Sequence, residues 1–152
     1  MTYATDERTQ KAIDLFRNFD VDTQLALLWF GYLDIKEQLQ GETNQPSVQD
    51  TAAALYDQIR ALPKEQQLQA QRDLASGAST DISRAYTALH SSPKIDLWLR
   101  LSRGMENGEI IQVPSDYKLP QQTNSFVDTV KGFNFQQRID FIRSIVLEMG
   151  AK

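Results

Sequence analysis

The chain has 152 residues, 41% hydrophobic and 24% charged, which gives one globular domain enough apolar side chains for a core and excludes disorder. Its net charge of −4 and pI near 5.0 lack the basic footprint of a nucleic-acid binder or of an anionic-membrane patch. The absence of cysteine excludes disulfides, thiolate metal sites and thiol catalysis.

Residues 1–20 carry Asp6, Glu7, Arg8, Lys11, Asp14 and Arg17 where a signal peptide needs an uninterrupted apolar stretch. A cytoplasmic location is therefore expected, with a first helix at 6–18. The next helix, 22–40, holds the longest apolar run, Leu25 to Leu33, about half of the roughly 20 residues that cross a bilayer. It should be a buried helix. Further helices are predicted at 47–61, 63–76, 80–90, 92–107, 122–131 and 134–149, and no period-two strand pattern is evident. Gly41, Gly77, Gly108, Gly132 and Gly150 each follow an apolar-periodic stretch as a C-terminal cap would. Pro63 and Pro93 mark first turns, and Ser47 after Pro46 is suited to N-capping. The connection 108–121, with Pro114, Tyr117 and Pro120, is long enough to be a lid or wall. Gln24, Gln66 and Gln136 recur in first turns without forming an exact repeat.

Periodicity separates two kinds of helix. In the 47–61 helix Val48, Ala52, Leu55 and Ile59 form the single stripe of an outer helix. The helices containing Leu25 to Leu33, Ile95 to Met105 and Ile139 to Met149 are apolar around most of their circumference and should lie centrally. They carry both tryptophans, Trp29 and Trp98, together with Phe30, Tyr32 and Phe141.

Catalytic sets are nearly absent. The single histidine, His90, sits at a helix end beside Ser91, Ser92 and Pro93, without a metal-spaced or triad partner, and suits a capping or surface role. The carboxylate pairs Asp6 with Glu7 and Glu106 with Glu109 fall at helix termini, where helix-dipole effects explain them. No phosphate loop or nucleophile elbow occurs, so an enzyme is not expected. Two features stand out. Helical spacing puts Arg143 on the apolar face of Ile139 and Val146, where it either snorkels or pairs with an acid, or else stands at the rim of an apolar cavity. Gly31 inside a helix costs about 1 kcal/mol relative to alanine, a hint that something approaches the backbone there.

The run Gln24-Leu25-Ala26-Leu27-Leu28-Trp29-Phe30-Gly31-Tyr32-Leu33 resembles that of the helical carotenoid proteins, which are similar to the N-terminal domain of the orange carotenoid protein of cyanobacteria. Arg84 with Tyr86, Trp98 with Arg103 and Met105, Pro114 with Tyr117, Lys118 and Leu119, and Arg143 with Val146, Met149 and Gly150 extend the resemblance along nearly the whole chain. Leu99 departs from it, standing where two-domain relatives carry tyrosine.

The resemblance implies an all-α fold of two interleaved four-helix bundles, one carotenoid-binding domain over residues 1–152 without the C-terminal regulatory domain of the two-domain relatives. It implies a keto-carotenoid (canthaxanthin, echinenone or 3′-hydroxyechinenone) between the bundles. Trp29, Tyr32 and Trp98 would enclose an end ring, Leu25, Leu28, Met105, Val113, Ile139 and Val146 would line the polyene, and Arg143 would stand near the tunnel. The implied function is photoprotective: quenching of singlet oxygen and of phycobilisome excitation, active without a light switch, near the thylakoid surface. The implied partners are the phycobilisome and a separate homologue of the C-terminal domain as carotenoid donor, the chain being a monomer or weak homodimer. Two alternatives stand beside this: a carotenoid storage or transfer carrier, and a pigment-free helical interaction module whose apolar residues are plain core.

Overall fold

Capping residues set several helix boundaries in the computed structural model, which describes residues 7–39 and 46–151. The expected cap at Gly41 and the side chains of Asp6, Ser47 and Val48 lie outside the described residues. The helices are α1 (Glu7–Arg17), α2 (Val21–Leu39), α3 (Pro46–Arg60), α4 (Lys64–Ser76), α5 (Asp81–Thr87), α6 (Ser91–Asn107), α7 (Asn124–Lys131) and α8 (Phe135–Val146), with a 3-10 turn, Gln121–Thr123, leading into α7. No strand occurs among the described residues.

Gly77 and Gly108 end α4 and α6 in the left-handed conformation expected of C-terminal caps. Gly132 follows α7 but keeps a right-handed backbone. Thr80 caps α5 through its side chain, and Asn134 with Gln137 closes a capping box on α8. Pro46 itself opens α3, which leaves Ser47 inside the helix rather than at its cap.

The last helix is shorter than its apolar pattern. After Val146 the chain tightens, the Glu148 and Met149 amides reaching back to the Ile145 and Val146 carbonyls, and Gly150 then turns it at φ +96°. This turn sends the Gly150 amide to the Leu74 carbonyl at 2.8 Å and the Ala151 amide to the Ser83 carbonyl at 3.2 Å. A Cβ at Gly150 would stand 2.5 Å from Thr87 Oγ1 and 2.7 Å from Tyr86 Cδ1, so glycine is required by space as well as by backbone angle.

The helices form two bundles. One is contiguous, α3 to α6; the other joins the two ends of the chain, α1 and α2 with α7 and α8. They interleave where α2 packs on α4 and where α6 packs on α8. The end-to-end bundle is filled by an aromatic cluster: Phe126 and Phe141 at 5.4 Å between ring centroids, with Phe16 edge-on to Phe141 at 5.7 Å. In the contiguous bundle α3 and α6 meet closely at Gly104, and Ile59, Leu74, Leu97, Leu101 and Ile110 are fully buried. Each such side chain contributes about 1.5–3 kcal/mol.

Buried glutamine amides join the pieces. Gln24 donates to the Phe16 carbonyl at 2.9 Å, tying α2 to the end of α1. Gln67 does the same for the Arg60 carbonyl at 3.1 Å and also accepts the Ile111 amide at 2.8 Å, fixing the start of the 108–120 connection. Gln66 and Gln136, which share the expected first-turn position, are exposed. An Arg72 fork on Asp22, at 2.7 and 3.2 Å, and an Arg17 fork on Glu148 span the outer surface.

Candidate functional site

Three helices expected to be central do converge. At the seam between the bundles, α2 contributes Leu28, Tyr32 and Ile35, α6 contributes Ile95, Trp98, Leu99 and Ser102, and α8 contributes Ile139, Ile142, Arg143 and Val146 to one cleft of about 60 Å³. Its walls are almost entirely apolar: α2 is apolar around most of its circumference, whereas α6 and α8 are amphipathic and turn Ile95, Trp98 and Leu99, and Ile139, Ile142 and Val146, toward it. Leu28, Tyr32, Trp98, Ile139, Arg143 and Val146 of the expected set line it. Leu25, Trp29, Met105 and Val113 pack instead on the main core, although Trp29 also stacks on Tyr32 at 5.9 Å and an interplanar angle of 25°. Ile35, Ile95, Ser102 and Ile142 were not anticipated, yet each lies three or four residues from an anticipated one on the same helix, a spacing that marks them as neighbours. Leu99, the noted departure, faces this cleft.

The two aromatic walls are held from behind. Trp98 Nε1 donates to the Tyr86 hydroxyl at 3.2 Å, and that hydroxyl donates to the Val146 carbonyl. Tyr86 is fully buried, and burial pushes its phenol up, keeping it a neutral donor. Tyr32 donates to Glu106 Oε1 at 2.5 Å while Lys36 holds Oε2 at 2.7 Å. Burial first, and Glu106 second, raise the Tyr32 phenol to about 12; Lys36, then Tyr32, hold the Glu106 carboxyl below its ordinary range. Arg143 is half-buried, lines the cleft, and has no acid within ion-pair distance among the described residues, so the pairing reading of its position falls away.

A second, larger cleft was not anticipated. It has about 150 Å³ and lies between α2, α7 and α8, against Leu27, Gly31, Phe126, Val127, Val130 and Phe141, with Leu119 of the long connection as part of its wall. The two clefts share only Leu28 and Ile142. Gly31 opens onto the second cleft, and a Cβ built there would meet no atom within 4 Å. Protein packing therefore does not require glycine at this position.

His90 is exposed at the N-cap of α6 without a side-chain cap bond. No group of three His, Asp or Glu side chains among the described residues could hold a metal ion. Glu106 and Glu109 serve tyrosines and cations of neighbouring helices, Glu109 lying 3.3 Å from Arg60 and 3.5 Å from the Tyr56 hydroxyl. Among the described residues no helix is long and apolar enough to cross a membrane.

A family model described as orange carotenoid protein, N-terminal, matches residues 2–152. The chain belongs to the orange carotenoid protein N-terminal family. An orange carotenoid-binding domain-containing protein of Nostoc sp. PCC 7120 is 32% identical over 146 residues, 96% of this chain and 85% of that protein. The red carotenoid protein of Anabaena (Nostoc) sp. PCC 7120, solved binding a mixture of carotenoids, superposes with a TM-score of 0.82 at 36% identity, covering 96% of this chain and 100% of that one. The orange carotenoid protein of the same organism, solved binding canthaxanthin, has a TM-score of 0.89 at 27% identity and is covered over 46% of its length. This chain thus spans about half of that longer member of the family and all of the shorter one.

Proposed function

We propose that the chain binds a keto-carotenoid along the seam between its bundles and acts in photoprotection, quenching singlet oxygen. The observation that carries this reading is the convergence of α2, α6 and α8 on an apolar cleft walled by Trp98 and Tyr32. The carotenoid ligands of the solved relatives support it. The residues present suit such a guest: apolar walls for a polyene, an aromatic pair for a ring, and no charge but Arg143 at the rim. An open volume of about 60 Å³ is smaller than the roughly 150 Å³ that a benzene-sized guest fills, so the α2, α6 and α8 side chains that line the cleft must part to seat a ring.

The pigment, when bound, supplies low-lying excited states that take up energy and release it as heat. The protein's part is mechanical and electrostatic. Trp98 and Tyr32, each hydrogen-bonded from behind, fix the ring; the aliphatic walls exclude water; no side-chain proton or nucleophile is needed. Expressed in a keto-carotenoid-producing host, the wild-type chain is expected to purify with visible colour. Trp98→Ser should weaken pigment retention about tenfold or more through lost aromatic burial, whereas Leu33→Ser, at a position 36% exposed, should retain it. Colourless but folded wild-type protein would instead favour a pigment-free interaction module.

Phycobilisome docking and carotenoid transfer from a separate C-terminal-domain homologue are finer proposals within the same reading. Arg143 is the candidate docking cation, because no acid of the described residues engages it. Arg143→Leu should change stability by no more than about 0.5 kcal/mol, leave colour and singlet-oxygen quenching intact, and abolish quenching of phycobilisome fluorescence. Unchanged antenna quenching in the variant removes the docking role; antenna quenching absent from the wild type leaves oxygen quenching or carotenoid storage and transfer as the activity.

A further inference from the structure

We propose that the cleft between α2, α7 and α8 is a second binding site, distinct from the seam, for a monocarboxylate carrying an apolar six-membered ring. The ring would lie against the backbone at Gly31 and the carboxylate at Lys131. Three independent observations converge on it. The first is size and chemistry: about 150 Å³ of open volume, floored by Phe126 and Phe141 and walled by aliphatic side chains, equals the roughly 150 Å³ at which an apolar cavity takes a benzene-sized guest. The second is Gly31. A mid-helix glycine is unfavourable, and among the described residues no atom beyond its chain neighbours and its own helix backbone lies within 4 Å of where its Cβ would be, so packing of those residues does not account for it.

The third is the charge at the rim. Asp34, Arg138 and Lys131 line the mouth. Arg138 is turned to Asp34 at 3.3 Å, which satisfies both. Lys131 has no acidic partner among the described residues, leaving one uncompensated cation beside an apolar slot. One positive charge at the mouth and a ring-sized apolar interior select an amphiphile with a single anionic end.

The test titrates phenylbutyrate, and its neutral amide as a control, into the pigment-free full chain, following the methyl signals of Val127 and Val130 by NMR. Saturable binding is expected, roughly threefold tighter for the acid than for the amide, with that preference lost in Lys131→Met. Gly31→Met, which fills the slot, should abolish binding, and Gly31→Ala, which meets no atom within 4 Å, keeps the fold intact and should weaken it. Absence of saturable shifts in the wild type, or equal affinity in wild type and a folded Gly31→Met, overturns the proposal. Loss of phenylbutyrate binding once the seam is loaded with canthaxanthin also overturns it, because the cleft would then be part of the pigment's own site. Since the titration uses pigment-free protein, its failure leaves the seam reading standing.

Discussion

Gly104→Ala is expected to lower stability by about 2 kcal/mol, and Gly104→Leu to leave little folded protein. The glycine lies where α6 crosses α3, and a Cβ built on it stands 2.4 Å from the Tyr56 hydroxyl oxygen and 2.5 Å from Ile110 Cγ1. Neither neighbour can retreat at low cost. Ile110 is fully buried and its amide is bonded to the Gly104 carbonyl itself at 3.1 Å, while Tyr56 is only 9% exposed. Alanine gains about 1 kcal/mol of helix propensity over glycine. Two contacts so far inside van der Waals distance, both against confined side chains, outweigh that gain. Urea unfolding of the two variants measures the difference; wild-type stability in Gly104→Ala would mean that Tyr56 swings clear of the crossing.

Tyr86→Ala should cost about 3–5 kcal/mol. Tyr86→Phe isolates the polar part, because it preserves the shape while leaving Trp98 Nε1 and the Val146 carbonyl without the hydroxyl that now joins them. A buried unsatisfied group costs about 1–3 kcal/mol, so a fall of roughly 2–12 °C in Tm is expected for Tyr86→Phe at this chain length. Near-UV circular dichroism of the tryptophans should change as well, since Trp98 Nε1 loses its hydrogen bond to the Tyr86 hydroxyl. Unaltered Tm and tryptophan spectra would show that packing alone holds Trp98. The Lys94 ammonium, 5.6 Å over the Tyr86 ring, remains in Tyr86→Phe and is lost in Tyr86→Ala.

Helix order and the centrality of α2, α6 and α8 are legible in residue spacing because apolar periodicity and glycine or proline punctuation are local signals. The same spacing carries Ile35, Ile95 and Ile142 into the seam once Tyr32, Trp98 and Ile139 are placed there. What local pattern does not carry is the partner across space. Tyr86 reads as an ordinary helical tyrosine, yet its hydroxyl bonds both Trp98 of α6 and, 60 residues along the chain, Val146 of α8. Gln67 is indistinguishable by pattern from its exposed neighbour Gln66, although its amide serves carbonyls of Arg60 and Glu109 and the Ile111 amide. The end of α8 also escaped its apolar pattern, because Met149 is buried in the core beyond the helix and Gly150 lies against α4 and α5. Gly31 was the one visible mark of the second cleft; its other walls come from α7, α8 and Leu119, which only the fold assembles.

The division into one contiguous and one end-to-end bundle has a consequence for how the chain comes to be folded. Helices α3 to α6 contact one another within a stretch of about 60 residues of chain, so their bundle can form while the rest is still being synthesised. The first helix cannot follow its order of emergence. α2 can settle on α4, but α1 waits for α7 and α8, and until those arrive the Phe16 ring and the face of α2 that meets α8 stand uncovered. The nascent chain therefore passes through a stage with one finished half and one adhesive half, and the Tyr86 hydroxyl meets its acceptor on Val146 only when the final helix docks.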